Sequence, residues 1–341
     1  MTRDLPPDDL LPWALSVLTS EGPAQLEAIA GDASARRYFR LRQGERSFIA
    51  VEAPPESQKN HEFLAIQKLL LGGGIRVPAL YGADLARGFM LLEDFGDRLL
   101  LDELNSSSVD GCYRQAFELL QLMGDVDPGD PCWPRYDDAL FSEELSRFPQ
   151  WFVQSLLGVP LPEETLWRAF AECLKANALA QPTVLVHRDF HSRNLMPQAD
   201  GALGLIDFQD AVIGPVTYDL VSLLRDCYIR WQPEQVEAWA LEYLQMQQRC
   251  GKLVDVEPQQ FLRWFDLMGL QRHIKVLGTF ARLYLRDQKP SYLADLPLVI
   301  RYVQEMLSRY RGELDQIDQF ASWFDDALMP AIRQQAWSQE P

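Results

Sequence analysis

Three polar residues in the middle of the chain have types and a spacing that can do chemistry. Asp189 precedes Asn194 by five positions, and Asp207 follows an apolar run that begins at Ala202. A carboxylate can take or orient the proton of an attacking hydroxyl, and Asn and Asp oxygens can hold magnesium on nucleotide phosphates. The kinase pattern places an Asp, a later Asn and a following Asp in these roles. The spacing therefore predicts phosphoryl transfer, with Asp189 as the catalytic residue and Asn194 and Asp207 as metal ligands.

Short apolar segments on both sides of these residues predict how they are positioned. Residues 183–186 have the character of a short buried strand, and a polar loop follows. Asp200-Gly201 predicts the turn of a two-stranded hairpin, because this dipeptide favours positive φ. Such a hairpin brings Asn194 and Asp207 near each other at one end. The alternative is a polar turn whose side chains cap backbone amides, but the flanking strands favour the metal and phosphate site.

Hydrophobic periodicity predicts mainly strands before residue 94 and mainly helices after it. The predicted strands before that boundary cover residues 25–30, 38–42, 47–51, 77–81 and 89–92. The predicted helices cover residues 8–19, 59–70, 109–123, 142–157, 162–179, 233–250, 258–285, 296–312 and 320–337. The change of composition near residue 94 predicts a domain boundary there.

A wider set of motifs resembles the aminoglycoside phosphotransferase and choline kinase group, which are small-molecule relatives of protein kinases. That family has His-x-Asp-x-x-x-x-Asn, then an apolar strand with Ile-Asp, then Gly-Pro-x-x-x-Asp-Leu. This chain carries the pattern at His187, Asp189, Asn194, Ile206-Asp207, Gly214-Pro215 and Tyr218-Asp219-Leu220. The resemblance implies a protein-kinase-like bilobal α+β fold. Residues 1–94 would form a small antiparallel β-rich lobe that covers the nucleotide, and residues 95–341 a larger, mainly helical lobe.

The resemblance also implies roles around the nucleotide, ATP, and its Mg²⁺. His187 and Asp219 would support the catalytic loop. The loop from Gly31 to Arg37 would cover the phosphates, with Gly31, Ser34 and Arg37 as nucleotide-binding residues, although a plain hairpin turn stays open because the loop has a single glycine. Glu93 would open the hinge between the lobes, whose backbone meets the adenine.

One departure from the family concerns the third strand. The family has a Lys there that pairs the nucleotide phosphates with a helix Glu, whereas this strand ends in Glu52. Lys59 or Arg37 is the expected substitute for the missing cation. Glu62 is either the helix Glu or part of a solvated helix face.

Composition limits the partners. The chain has 341 residues, a formal net charge of -17 and a pI near 4.7, which argue against nucleic acid and anionic membrane surfaces as partners. Five cysteines without a C-x-x-C pair indicate reduced thiols of a cytoplasmic protein. We also expect neither a secretory signal nor a membrane span, and the oligomeric state stays open.

Several short sequence segments resemble those of one subgroup of the family, the bacterial N-acetylmuramate/N-acetylglucosamine anomeric kinases of cell-wall recycling. They are Gly31-Asp32-Ala33-Ser34, Arg37-Tyr38-Phe39-Arg40, Glu52-Ala53-Pro54-Pro55, Leu92-Glu93-Asp94-Phe95-Gly96-Asp97, His187 to Asn194 and Gln271-Arg272-His273. The resemblance implies phosphorylation of a sugar at its anomeric hydroxyl to the 1-phosphate.

The acceptor side leaves several readings open. Arg193, Arg272 and His273 are the candidate acceptor-binding residues. The two arginines can meet an anion, and polar and basic residues, Arg272 and His273 among them, interrupt an otherwise apolar helix. The alternative for His273 is a histidine of the core. An aminoglycoside or another small-molecule acceptor is the second functional hypothesis. A nucleotide-binding regulator without catalysis is the third, motivated by the missing Lys.

Overall fold

The computed structural model describes residues 5–19, 22–29, 36–130 and 132–338. The strands are β1 (Gln25–Ile29), β2 (Arg37–Gln43), β3 (Arg46–Glu52), β4 (Leu80–Asp84), β5 (Phe89–Glu93), β6 (Thr183–Val186), β7 (Leu195–Pro197), β8 (Leu203–Leu205) and β9 (Val212–Pro215). The α-helices are α1 (Leu10–Leu18), α2 (Asn60–Gly72), α3 (Leu100–Glu103), α4 (Val109–Asp125), α5 (Asp138–Arg147), α6 (Glu164–Leu179), α7 (Tyr218–Leu224), α8 (Pro233–Arg249), α9 (Pro258–Leu285), α10 (Leu296–Arg309), α11 (Asp315–Trp323) and α12 (Met329–Arg333). Two π-helices (Phe148–Leu156, Phe324–Leu328) and two 3-10 helices (Pro290–Leu293, Ala336–Ser338) complete the list. None of the helices in these ranges is both long enough and apolar enough to cross a membrane.

The described residues belong to two compact units. The first contains the described part of Met1–Leu122 together with Arg193–Ala211, and the second contains Met123–Ser192 with the described part of Val212–Pro341. The hairpin after the catalytic loop thus groups with the first unit. The predicted lobes, 1–94 and 95–341, stay a prediction.

An antiparallel sheet of five strands, in the order β1-β2-β3-β5-β4, forms the body of the first unit. Its apolar side chains pack with α1 in one core cluster, because alternate residues of a strand share a face. Buried members of that cluster include Trp13, Phe39, Phe48 and Leu91. The β2–β3 turn places Gly44 at φ +60°, a conformation that glycine adopts without steric cost.

Helix α9 is the centre of the second unit, and every residue from 265 to 278 along it is buried. It contacts α5, α6, α7, α8, α10 and the first π-helix. Gly278 allows the closest of these approaches, because a Cβ there would lie 2.4 Å from the carbonyl carbon of Arg147 and 2.5 Å from the backbone nitrogen of Phe148. β6 and β9 pair antiparallel beside this helical core, with Val186 opposite Val212.

The structure confirms most predicted elements and corrects three. The helix predicted at 142–157 changes to a π-helix at Phe148, where Pro149 lacks the N–H of a regular α-helical hydrogen bond. The helix predicted at 320–337 divides into four short segments that include a π-helix and a proline at Pro330. The strand predicted at 77–81 begins only at Leu80, because Pro78 cannot donate to a strand partner.

Candidate active site

The predicted site residues are divided between the two units. Arg37, Glu93, Arg193, Asn194 and Asp207 belong to the first unit. The second unit contains the catalytic-loop residues and the candidates of α9, which are His187, Asp189, Asp219, Arg272 and His273. Gly31 and Ser34 lie outside the described residues.

The β7–β8 hairpin of the first unit brings the two predicted metal ligands to one end. Leu195 pairs with Leu205, and the backbone N–H of Ile206 donates to the carbonyl oxygen of Asn194 at 3.1 Å. Asn194 therefore lies opposite the residue that precedes Asp207. The turn at the other end of the hairpin has Gly201 at φ +86°, as the Asp-Gly dipeptide predicts. The hairpin prediction is confirmed.

The backbone of Asp207 has a strained conformation. Its φ is +63°, in the left-handed region that residues other than glycine rarely adopt. The following Phe208 is buried and stacks on Phe63 of α2 with ring centroids 4.9 Å apart. Gln209 donates from Nε2 to Oδ1 of Asp207 at 2.8 Å. These contacts hold the carboxylate in place, and strain of this kind is typical of functional sites.

The donor set of the hairpin fits magnesium. Mg²⁺ prefers oxygen ligands and is usually held by one or two carboxylates together with substrate phosphates and water. Asp207 and the amide oxygen of Asn194 offer such ligands. Within residues 5–19, 22–29, 36–130 and 132–338, no group of three or more His, Cys, Asp or Glu side chains could hold a metal by itself. A magnesium ion here would thus depend on phosphate oxygens to complete its shell.

The predicted catalytic loop, residues 187–194, begins in the second unit where β6 ends. The backbone N–H groups of His187 and Arg188 donate to the two carboxylate oxygens of Asp219, at 2.5 and 3.0 Å. Arg188 has φ +77°, so Asp219 supports a strained turn. Burial raises the pKa of Asp219 to about 7, although the two N–H donors oppose this shift. The buried ring of His187 accepts at Nδ1 from the N–H of Asp189 at 3.3 Å.

Charges around Asp189 favour its ionised form. Burial by itself would raise the pKa of Asp189, but the positive charges of Lys275, His191 and Arg272 hold it below its ordinary value. The carboxylate is therefore ionised throughout the neutral range. It can receive a hydrogen bond from a hydroxyl without first losing a proton.

Glu144 of α5 holds two of the cations near this loop, and the sequence did not single it out. Its side chain is 0% exposed and accepts from Lys275 at 3.0 Å, from Arg188 and from the hydroxyl of Tyr136. Lys275 also donates to the hydroxyl of Tyr218 at 2.9 Å. No motif marks Glu144, because its role depends on the packing of α5 against α9.

Asp226 is a second residue that the sequence analysis missed. Its Oδ2 accepts from the N–H and the hydroxyl of Ser192, at 2.9 and 2.5 Å. Its Oδ1 accepts from the N–H of Tyr228 at 3.1 Å. This carboxylate therefore fixes the last residue of the catalytic loop within the second unit, much as Asp219 fixes the first.

The two candidates of α9 have different surroundings. Arg272 is 3% exposed, lies close enough to Asp189 to lower its pKa, and contacts the sulfur of Cys227 at 3.5 Å. His273 stacks on Tyr302, and its Nε2 lies 3.0 Å from the carbonyl oxygen of Arg225. Burial, together with Arg272, lowers the pKa of His273 to about 3, so the ring is neutral. Its contacts are those of the core histidine that the sequence left open.

The predicted nucleotide-binding residues Arg37 and Glu93 each form an ion pair in the first unit. Arg37 pairs with Glu52 of the neighbouring strand and donates to the carbonyl oxygen of Leu5 at 2.8 Å. Glu93 pairs with Arg76, whose positive charge lowers the pKa of Glu93 despite partial burial. Arg193 is partly buried at the start of the β7–β8 hairpin.

Comparison with known protein families identifies the family to which this chain belongs. The model described as the phosphotransferase enzyme family matches residues 25–253, which is more than half of the chain. The chain belongs to the phosphotransferase enzyme family. It is therefore a small-molecule phosphotransferase, and the family prediction from the motifs is confirmed.

Two curated relatives of this phosphotransferase cover most of its length. It is 43% identical over 300 residues to the N-acetylmuramate/N-acetylglucosamine kinase of Pseudomonas putida, covering 87% of this chain and 88% of the relative. It is 40% identical over 297 residues to the protein of the same name in Pseudomonas aeruginosa, covering 86% and 87%.

A solved structure confirms the fold class. The choline kinase of Streptococcus pneumoniae aligns with a TM-score of 0.62 at 15% identity, covering 88% of this chain and 99% of that one. At this level of identity the likeness concerns the fold alone. The prediction of a protein-kinase-like fold, with a small antiparallel sheet and many helices, is confirmed.

Proposed function

We propose that this phosphotransferase is an ATP-dependent sugar kinase that phosphorylates the anomeric hydroxyl of N-acetylmuramate, N-acetylglucosamine or both. The observation that carries the proposal is the 43% identity over 300 residues to a kinase named for these two sugars. The ionised Asp189 and the hairpin with Asn194 and Asp207 support the same reaction, because they supply the residue types that a kinase requires.

In the proposed mechanism, Asp189 orients the sugar 1-hydroxyl toward the terminal phosphate. A carboxylate with a low pKa is a weak base, so it accepts the hydroxyl proton late, when the new oxygen–phosphorus bond has made that proton acidic and the bond from phosphorus to the ADP oxygen is breaking. Asn194 and Asp207 hold magnesium, which neutralises charge on the phosphate oxygens when it is bound. His187 and Asp219 position the loop.

Cations of the second unit make the proposed acceptor-binding side positively charged. We assign Arg272 to this side because it is close to Asp189, and we extend the assignment to Lys275, which is held by Glu144. N-acetylmuramate has a carboxylate that such cations would attract. We assign His273 a packing role, on the basis of its contacts with Tyr302 and the Arg225 carbonyl. Arg193 stays a proposed acceptor residue.

We further propose a role in cell-wall recycling and a cytoplasmic location. The sugars in the names of the curated relatives are components of peptidoglycan, which supports the first. The second is supported by five cysteines that are all free thiols, a state that persists in a reducing compartment.

The test is a coupled assay of ATP consumption with magnesium and N-acetylmuramate, N-acetylglucosamine, kanamycin or choline as acceptor. Phosphorus NMR then identifies the product, and we expect a sugar 1-phosphate. If kanamycin or choline is phosphorylated and neither sugar is, the acceptor is not one of these sugars and the proposed substrate is wrong. Nucleotide binding without turnover of any acceptor would favour the regulator.

The same assay tests the catalytic residue. Asp189→Asn should lower kcat by two to four orders of magnitude, roughly the contribution of acid–base catalysis, and leave folding intact. Asp200→Asn is the matched control, because Asp200 is exposed at the tip of the hairpin and caps only the N–H of Ala202. Near wild-type turnover by the Asp189 variant would refute the assignment.

A further inference from the structure

The third strand of the first unit ends in Glu52 instead of a lysine, so the cation that meets the nucleotide phosphates must come from elsewhere. The two substitutes expected from the sequence have other partners in the structure. Arg37 pairs with Glu52, and Lys59 lies 3.6 Å from Asp210 with its side chain 67% exposed. A lysine so exposed is well solvated and mobile, and therefore contributes little to a fixed phosphate site.

Arg36 differs from both, because it is a buried cation at the N-terminal end of α2. It is 3% exposed and donates from Nη2 to the carbonyl oxygen of Lys59 at 3.3 Å. Its guanidinium carbon lies 4.9 Å from the ring centroid of Phe63. The aromatic ring therefore makes a cation–π contact that restrains the guanidinium.

The same aromatic contact connects Arg36 to the candidate metal ligand. Phe63 stacks on Phe208, the residue that follows Asp207. The phenol of Tyr38 lies within reach of both charges. It interacts electrostatically with the Asp207 carboxylate and with Arg36, to which it is also hydrogen-bonded. Arg36, Tyr38 and Asp207 thus form one group within the first unit.

We propose that Arg36 replaces the missing lysine and binds the phosphate groups of a nucleoside diphosphate or triphosphate beside Asp207. The inference rests on the proposed nucleotide-dependent function and adds the residue that recognises the phosphates. Arginine suits this task because its planar fork can donate two parallel hydrogen bonds to phosphate oxygens. A guanidinium also stays protonated when it is buried, whereas a lysine in the same surroundings can lose its charge.

The experiment measures the dissociation constants of adenosine and ADP by calorimetry, with and without magnesium. Arg36→Gln should bind adenosine as the wild type does and bind ADP about tenfold to a hundredfold more weakly, the loss expected for one charge-assisted hydrogen-bonding group. The difference should persist when EDTA removes magnesium. Arg42→Gln is the matched control with unchanged affinities, because Arg42 lies on β2, the strand that follows Arg36, with its side chain 58% exposed.

Unequal loss for the two ligands is the decisive readout, since a merely structural role would weaken both. An equal loss of affinity for adenosine and ADP, or an unchanged affinity for ADP, would overturn the proposal. If Arg36→Gln does not fold, Arg36→Lys keeps a long basic side chain but removes the fork. Arg36→Lys should bind ADP about threefold to tenfold more weakly and adenosine with unchanged affinity. An equal loss of affinity for both ligands, or an unchanged affinity for ADP, would again overturn the proposal. A wild type that binds ADP but phosphorylates no acceptor would overturn the proposed function alone.

Discussion

Replacing Glu144 by glutamine should be among the most destabilising conservative changes in the second unit. The carboxylate is 0% exposed and pairs with two cations whose side chains are also mostly buried. The side chain of Arg188 is 15% exposed and that of Lys275 is 9% exposed. Glutamine keeps the shape but removes the charge, so two mostly buried cations lose this carboxylate as an ion-pair partner. Breaking a buried ion pair by removing one partner costs about 3–5 kcal/mol, and we expect a loss in this range at pH 7.

The dependence on pH distinguishes this charge effect from a packing defect. Burial would raise the pKa of Glu144, but Lys275, Arg188 and the Tyr136 hydroxyl hold it below its ordinary value. The stabilisation is therefore present above the pKa of the unfolded chain, about 4.5 for glutamate. It is lost as the pH falls through the lower folded-state pKa. The difference between wild type and Glu144→Gln should be constant from pH 6 to 8 and shrink below about pH 4.5.

Urea unfolding at several pH values, followed by circular dichroism, measures this difference. Glu143→Gln is the control, because Glu143 has a side chain 63% exposed and a surface ion pair with Arg147. Such pairs contribute about 0–1 kcal/mol. A Glu144→Gln variant within 1 kcal/mol of the wild type at pH 7, or a difference that does not change with pH, would refute the reasoning.

Two further predictions concern the loop and the helix core. Asp219→Asn leaves one of the two backbone donors facing an amide NH₂, so kcat should fall at least about tenfold. The step near pH 7 in the pH profile of kcat should also disappear, because the variant has no carboxyl to titrate there. A profile that keeps this step would contradict the role of Asp219. Gly278→Ala would force a Cβ against backbone atoms of the preceding elements and should cost about 1–3 kcal/mol or more, seen as a lower Tm. Gly111→Ala should instead stabilise by about 0.4–1 kcal/mol, because nothing lies within 4 Å of its added Cβ in α4. Equal Tm changes for the two variants would exclude the steric explanation.

Local patterns predicted the parts of the fold whose geometry depends on neighbouring residues. The β7–β8 hairpin follows from an Asp-Gly turn between apolar segments, and α9 from a long run of helical periodicity. The errors occur where proline changes the backbone pattern. At Pro149 the helix continues as a π-helix, which hydrophobic periodicity cannot distinguish from an α-helix.

Family motifs single out some residues of the candidate site and do not mark others. Asp189, Asn194 and Asp207 stand at fixed spacings, so the sequence predicts a chemical role for each of them. Glu144 and Asp226 could not be found in this way. Each acts on a residue distant in sequence, and an isolated acidic residue on a helix or after one has no distinguishing pattern.

The sequence by itself determined the residue types for phosphoryl transfer, their order and the family, because these depend on spacings of a few positions. The tertiary structure alone decided which charges meet. It paired Arg37 with Glu52 and left the neighbouring Arg36 buried beside Phe63, although the two arginines are adjacent in sequence. It also brought Arg272 within electrostatic reach of Asp189 and stacked His273 on Tyr302. The physical reason is that adjacent side chains point in different directions, and their surroundings come from distant elements that only packing brings near.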